Sequence, residues 1–297
     1  MHPDYSAHAA FVSPARPRAE AWRLIAGLIM ATVIYIGLLQ ALDACVMIVL
    51  GDDGYFDFRT MLETGNSPAG TLYLLGSFVC MAVAVSAVAH QLHGRSPLSL
   101  LGPPRLALRQ GWRVLRVNAL IFLAIWLLPP AEWSADLVPQ RPFGDWVLLL
   151  PLALPALLIQ TGTEELVFRG YVQQQLAARF KATAVWMLGP ALLFGLLHYR
   201  PEAGANAWLF IGWAAAFSLA ASDLTARAGT LGPAIALHFA ANAWAILIYS
   251  QDETLSGLSL YHQPIDLADA DTVTPLLLVD LGTLFVSWLA ARLALRR

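Results

Sequence analysis

Charge is what this sequence has least of. Only 13% of its 297 residues are Asp, Glu, Lys or Arg, about half the share of a soluble domain. With 58% of residues hydrophobic, so few charges cannot cover the apolar side chains in water. A mean hydropathy of +0.61 agrees. An ordinary soluble enzyme and a disordered chain are both excluded, and an integral membrane protein remains. The net charge of −2 gives no support to a nucleic-acid partner recruited by bulk charge. Two cysteines, Cys45 and Cys80, both inside apolar runs, make no disulfide framework. Lysine is nearly missing, with Lys181 alone among 18 basic residues. Two catalytic signatures are missing as well. There is no His-Glu-x-x-His helix of a soluble metalloprotease and no Gly-x-Ser-x-Gly elbow.

Long apolar runs are what the chain has in quantity. A spanning helix needs about 20 mainly apolar residues. Segments 22–50, 71–92, 114–130, 146–178, 184–199, 205–222, 229–250 and 273–295 qualify when the run 147–160 is continued through the charged stretch that follows it. The expected fold is all-α and polytopic, with about eight transmembrane helices around an intramembrane polar cavity. Residues 1–21, with Pro3, Pro14 and Pro17, read as a flexible cytoplasmic leader without a removable signal peptide. Residues 22–297 read as a single membrane domain.

Orientation follows from basic residues in short loops. With the N-terminus inside, fourteen fall inside: Arg16, Arg18, Arg23, Arg95, Arg105, Arg109, Arg113, Arg116, Arg179, Lys181, Arg227, Arg292, Arg296 and Arg297. Three, Arg59, Arg141 and Arg200, fall outside, and Arg169 stays in the membrane. The expectation is a multi-pass protein of the cell membrane with both termini cytoplasmic. Trp22, Trp112, Trp133 and Trp146, near span ends, read as interface anchors, and His90 and His93 as interfacial.

Charged side chains within a span cost several kcal/mol and usually mark function. Asp43 and Asp280 read as packing or pore-edge residues. The others concentrate in Thr163-Glu-Glu-Leu-Val-Phe-Arg-Gly-Tyr171, which holds Glu164, Glu165 and Arg169. His198 in Phe194-Gly-Leu-Leu-His198 and His238 in His238-Phe-Ala-Ala-Asn242 join them. Glu165 and Arg169 stand at the i,i+4 spacing of an ion pair. Phe194 and His198, and His238 and Asn242, share helix faces by the same spacing. At 1.5 Å per residue from their cytoplasmic ends, Glu164 and His198 lie roughly 21 Å along their helices and His238 roughly 14 Å. Three polar stripes thus fall in one slab. Pro151, Pro155, Gly189-Pro190 and Gly232-Pro233 are kink residues that help to open a cavity there.

Two schemes of amide hydrolysis suit this set. In one, a buried glutamate is the general base toward water, one histidine orients that water, and the second histidine with the Asn242 amide donates to the oxyanion. In the other, Glu164, His198 and His238 hold a zinc ion (Zn²⁺) that activates the water.

In these residues the chain resembles the CPBP family, the CAAX prenyl endopeptidase and bacteriocin-processing (Abi) membrane proteins. That family's motifs are Glu-Glu-x-x-x-Arg, Phe-x-x-x-His and His-x-x-x-Asn/Asp. Here they stand in the same order as Glu164-Glu165-x-x-x-Arg169, Phe194-x-x-x-His198 and His238-x-x-x-Asn242. The resemblance implies an intramembrane endopeptidase with its protease core over about 146–250. Glu164 would activate water beside His198, and His238 with Asn242 would stabilise the oxyanion. It also implies a membrane-embedded or lipidated peptide substrate, prenylated CAAX-type or bacteriocin-type, and leaves metallo- and glutamate-type hydrolysis both open. Two rivals stand beside it: a non-catalytic membrane scaffold or immunity protein of the same fold, and a proton-coupled transporter. A transporter would favour inverted repeats, and none is visible.

Overall fold

The computed structural model describes residues 5–127, 137–251 and 253–296. It is nearly all helix. The elements run α1 (Ser6–Val12), α2 (Ala21–Thr64), α3 (Pro68–Gln91), α4 (Pro104–Leu127), α5 (Phe143–Glu165), α6 (Gln174–Arg179), α7 (Thr183–Leu196), α8 (Ala207–Ala228), α9 (Gly232–Asn242) and α10 (Ala270–Leu295). Wider π-helical turns join α5 to α6 (Leu166–Gln173) and extend α9 (Ala243–Ile248). Three two-residue strands, β1 (Val138–Pro139), β2 (Tyr249–Ser250) and β3 (Tyr261–His262), tie the loops at one end of the bundle. Their order is β1-β3-β2, with β1 antiparallel and β2 parallel to β3.

Local chemistry sets the ends. Pro68 opens α3, and the Ser67 side chain accepts the Gly70 amide, satisfying one of the first turn's unpaired donors. Gly51 breaks α2 with φ 71° and ψ 176°, a conformation that side chains other than glycine's resist. Beyond that kink the acidic arm holding Asp52, Asp53 and Asp57 doubles back. Tyr55 then donates to Asp43, and Arg59 lies 3.8 Å from it. Asp43 is thus a packing residue with local partners.

Among the described residues five segments are long and apolar enough to cross a membrane: Ala21–Glu63, Pro68–Gln91, Phe143–Arg179, Pro201–Ala228 and Ala270–Leu295. The expected eight is therefore not confirmed. Each of the eight predicted segments contains a helix among its described residues, but three fall outside this set on a physical ground. Thr183–Leu196 rises only about 21 Å, short of a hydrocarbon core of about 30 Å, and Gly232–Ile248 is also shorter than a span. α4 carries Arg105, Arg109, Arg113 and Arg116 among its first thirteen residues. Bilayer-facing sides are plain in Ile25, Ile29, Val33, Leu148, Leu152 and Val279, all large, apolar and exposed. In water such a belt would be an aggregation surface; in lipid it is the solvated one. The chain is a membrane protein.

α9 stands at the centre, against α4, α5 and α8. Phe217, Leu224, Ala234 and Leu237 form the core between α8 and α9.

The leader differs from its expectation. From Tyr5 onward it is folded: α1 and a 3-10 turn (Ser13–Arg18) pack on α6 and α8. Phe11, Val12 and Ala15 are buried, which makes the segment a helix with one apolar face instead of a loose tail. The Tyr5 hydroxyl donates to Asp223, which also holds Arg227 at 2.9 Å and the Trp288 indole N–H at 3.0 Å. His8 stacks on Trp186, and burial pushes its pKa down to about 4, so the ring is neutral at pH 7. His93 is likewise buried and not interfacial: its Nε2 meets the Tyr171 hydroxyl at 2.8 Å, and burial lowers its pKa. Trp22 and Trp112 are exposed as anchors should be, Trp146 spends its N–H on the Leu247 carbonyl, and Trp133 lies outside the described residues.

Candidate active site

Three helices deliver the polar groups. α5 is apolar until its last turns and then presents Gln160, Glu164 and Glu165. Adjacent helical residues point about 100° apart, so the two glutamates cannot share an environment. The Glu165 side chain is completely buried, whereas 17% of the Glu164 side chain is exposed. Glu164 lines a cavity of about 490 Å³ together with His198 and Asn242, and Glu165 does not.

Behind that wall Glu165 Oε1 accepts from Arg169 Nη1 at 3.0 Å and from His238 Nδ1 at 2.8 Å. Arg169 is also completely buried, with its guanidinium carbon 5.1 Å from the Phe194 ring centre and 5.9 Å from those of Phe168 and Phe217. Three ring faces and one carboxylate therefore replace its hydration. His238 bridges the two glutamates, its Nε2 standing 3.7 Å from Glu164 Oε2. The predicted pair Glu165–Arg169 is present, and His238 belongs to it and does not line the cavity.

Gln160 is a residue that sequence reasoning missed. Its Nε2 donates to Glu164 Oε1 at 2.6 Å, and its Oε1 accepts from Asn242 Nδ2 at 3.0 Å. An Asn242–Gln160–Glu164 chain thus links α9 to α5. The signal was a lone amide in an apolar run, four residues before Glu164.

His198 lies beyond the end of α7, not within a helix as expected. Its Nδ1 is 2.8 Å from the Phe194 carbonyl, one of the acceptors that a helix C-terminus leaves unpaired. A carbonyl only accepts, so Nδ1 donates, and Nε2 of the neutral ring keeps its lone pair. Gly195 permits this end to approach α8, since a Cβ there would stand 2.7 Å from the Ile211 carbonyl. Phe194 packs edge-on against Phe168 and within 4.3 Å (ring centres) of His198. The phenylalanine of the second motif is thus the contact between the histidine and the buried arginine.

Among the described residues no three His, Cys, Asp or Glu side chains are grouped so as to hold a metal ion. Glu164, His198 and His238 do not present such a set, and His238 Nδ1 is already committed to Glu165.

No curated protein and no solved structure matches the chain. A family model does match, over residues 146–244, the stretch that contains Glu164, Glu165, Arg169, His198, His238 and Asn242. Over residues 146–244, about a third of its length, the chain is thus similar to the type II CAAX prenyl endopeptidase Rce1-like family, consistent with the CPBP resemblance of its three motifs.

Proposed function

We propose that the protein is an intramembrane endopeptidase that hydrolyses a peptide bond of a membrane-associated substrate without a metal. One observation carries this reading: Glu164, His198 and Asn242, one from each motif, line the same cavity, with an unblocked imidazole nitrogen on His198. Glu164 takes the proton of a water molecule as that water attacks the scissile carbonyl. His198 Nε2 accepts the water's other hydrogen and orients it, and Glu164 returns the proton it has taken to the leaving amine. Asn242 has two amide N–H groups and spends one on Gln160. The other is the donor to the oxyanion. His238, whose Nδ1–H goes to Glu165, holds Glu164 from behind and is a positioning residue. This departs from the expectation that His238 donates to the oxyanion, because its ring stands between the two glutamates and does not line the cavity.

The substrate class implied by the family is a lipidated or membrane-embedded peptide of CAAX type. Mass spectrometry of peptides released by membranes carrying the wild-type chain or Glu164→Ala tests the activity. Discrete products should appear with wild type only, and should persist in chelator. Products that vanish with chelator and return with zinc would overturn the metal-free step. No difference between the two membranes would overturn the hydrolase reading.

The same proposal places both termini in the cytoplasm, which needs an even number of crossings: all eight helical segments cross, with α7 and α9 completing their passage in the irregular backbone that follows each of them beside the cavity. The fourteen-to-three bias of basic residues supports it. Reporter fusions after Arg95 and after Arg297 should both score as cytoplasmic, and one near Asp266 as the opposite side. Any other pattern sinks this arrangement.

A further inference from the structure

α10 lies outside the matched stretch of residues 146–244, yet it forms part of the cavity wall. It contributes Asp280, Thr283, Leu284 and Ser287, which are spaced three and four apart and so share one helix face. That face is polar in a helix whose other faces are apolar: Leu278, Val279, Phe285 and Val286 are exposed toward lipid. Ser287 is 2% exposed, and its hydroxyl finds no partner among the described residues. The Trp213 indole N–H, on the same wall, is buried and equally without one. Asp280 makes no hydrogen bond and no ion pair with another described residue, in contrast to Asp43 and Asp223, each held by several partners.

A carboxylate deep in a membrane protein is costly unless a partner arrives. Two buried donors and a carboxylate left open on one cavity wall describe a subsite waiting for its ligand. We infer that Asp280, with Ser287, is a specificity-determining subsite that takes a basic side chain, Lys or Arg, of the substrate peptide. The inference deepens the hydrolase reading and rests on it for the occupant being a peptide. A cation suits Asp280 better than an amide does, since it brings the charge that the apolar surroundings of the carboxylate lack. In this arrangement α10 selects the substrate and the motif helices cut it.

Binding and cutting can be scored apart. The full-length Glu164→Gln protein in detergent is titrated with fluorescent synthetic peptides, one all-leucine parent and a set in which Lys replaces each position in turn. At one position Lys should tighten binding on the order of thirtyfold, the size expected of a desolvated charge pair. Adding Asp280→Asn should remove that preference and leave the parent peptide's affinity in place, and Asp280→Glu should retain it. Folding of each variant is checked by its gel-filtration profile. The absence of a Lys preference at every position, or a preference that survives Asp280→Asn, overturns the subsite. Cleavage of the same peptides by wild type is read separately. If the Lys peptide binds through Asp280 but is never cut, the hydrolase reading fails and the subsite stands.

Discussion

Glu164→Gln should fold as wild type does and lose about 10²–10⁴-fold in the rate of peptide cleavage. Geometry makes this a clean test. Gln160 donates to Glu164 Oε1 at 2.6 Å, and a glutamine amide oxygen can accept the same bond. Its NH₂ would then face His238 Nε2, which stands 3.7 Å from Glu164 Oε2 and can accept when the ring is neutral. Shape and hydrogen bonding are kept; only the capacity to take a proton from water is lost. Single-turnover cleavage rates, with circular dichroism and gel filtration as folding controls, read the result. His198→Ala should fall into the same range, because it removes the lone pair beside the water. A fully active Glu164→Gln protein would end the general-base assignment, whatever the identity of the substrate.

Arg169→Ala should act through the fold. The guanidinium has no solvent exposure and, among the described residues, one ion-pair partner, Glu165. Truncation strands the Glu165 carboxylate between His238 and a newly emptied pocket of phenylalanine rings. Breaking a buried pair by removing one member typically costs about 3–5 kcal/mol, a large part of the 5–15 kcal/mol that holds a typical domain. The folded yield in detergent should drop steeply, and activity with it. The double variant Arg169→Met, Glu165→Gln should regain folded yield, since no buried charge is then unpaired. If Arg169→Ala folds normally yet cuts nothing, the arginine touches the substrate and its structural role is refuted.

The parts of this molecule that were legible in the sequence are those written in local periodicity. Apolar runs marked every long helix, and i,i+4 spacing marked the Glu165–Arg169 pair and placed His198 and Asn242 near Glu164. What was hidden depends on contacts between distant segments. A spacing of four cannot say that His198 sits past the last turn of α7, where it holds the Phe194 carbonyl. Nor does it separate Glu164 from Glu165, because which of the two meets the cavity depends on where α9 lies. Gln160 was overlooked because an amide at the end of an apolar run looks like a boundary. Hydropathy marked eight apolar segments but did not register that α7 and α9 are short, so the structure leaves the count of eight unconfirmed. The leader was misread for a similar reason: seven helical residues carry too little periodicity to show that Phe11 and Val12 have a surface to meet.

That docked leader has a consequence for how the protein is made. Tyr5 finds its acceptor in Asp223, 218 residues later. At a synthesis rate of about 5–20 residues per second, α1 leaves the ribosome roughly 10–40 s before α8 exists to receive it. Throughout that interval Phe11 and Val12 have no α8 to bury against, and the Tyr5 hydroxyl must wait for Asp223. The joint between the first helix and the eighth therefore closes late in biogenesis, with only α9 and α10 still to come. A nascent chain of this build is held incomplete at one end until most of it has been delivered to the membrane.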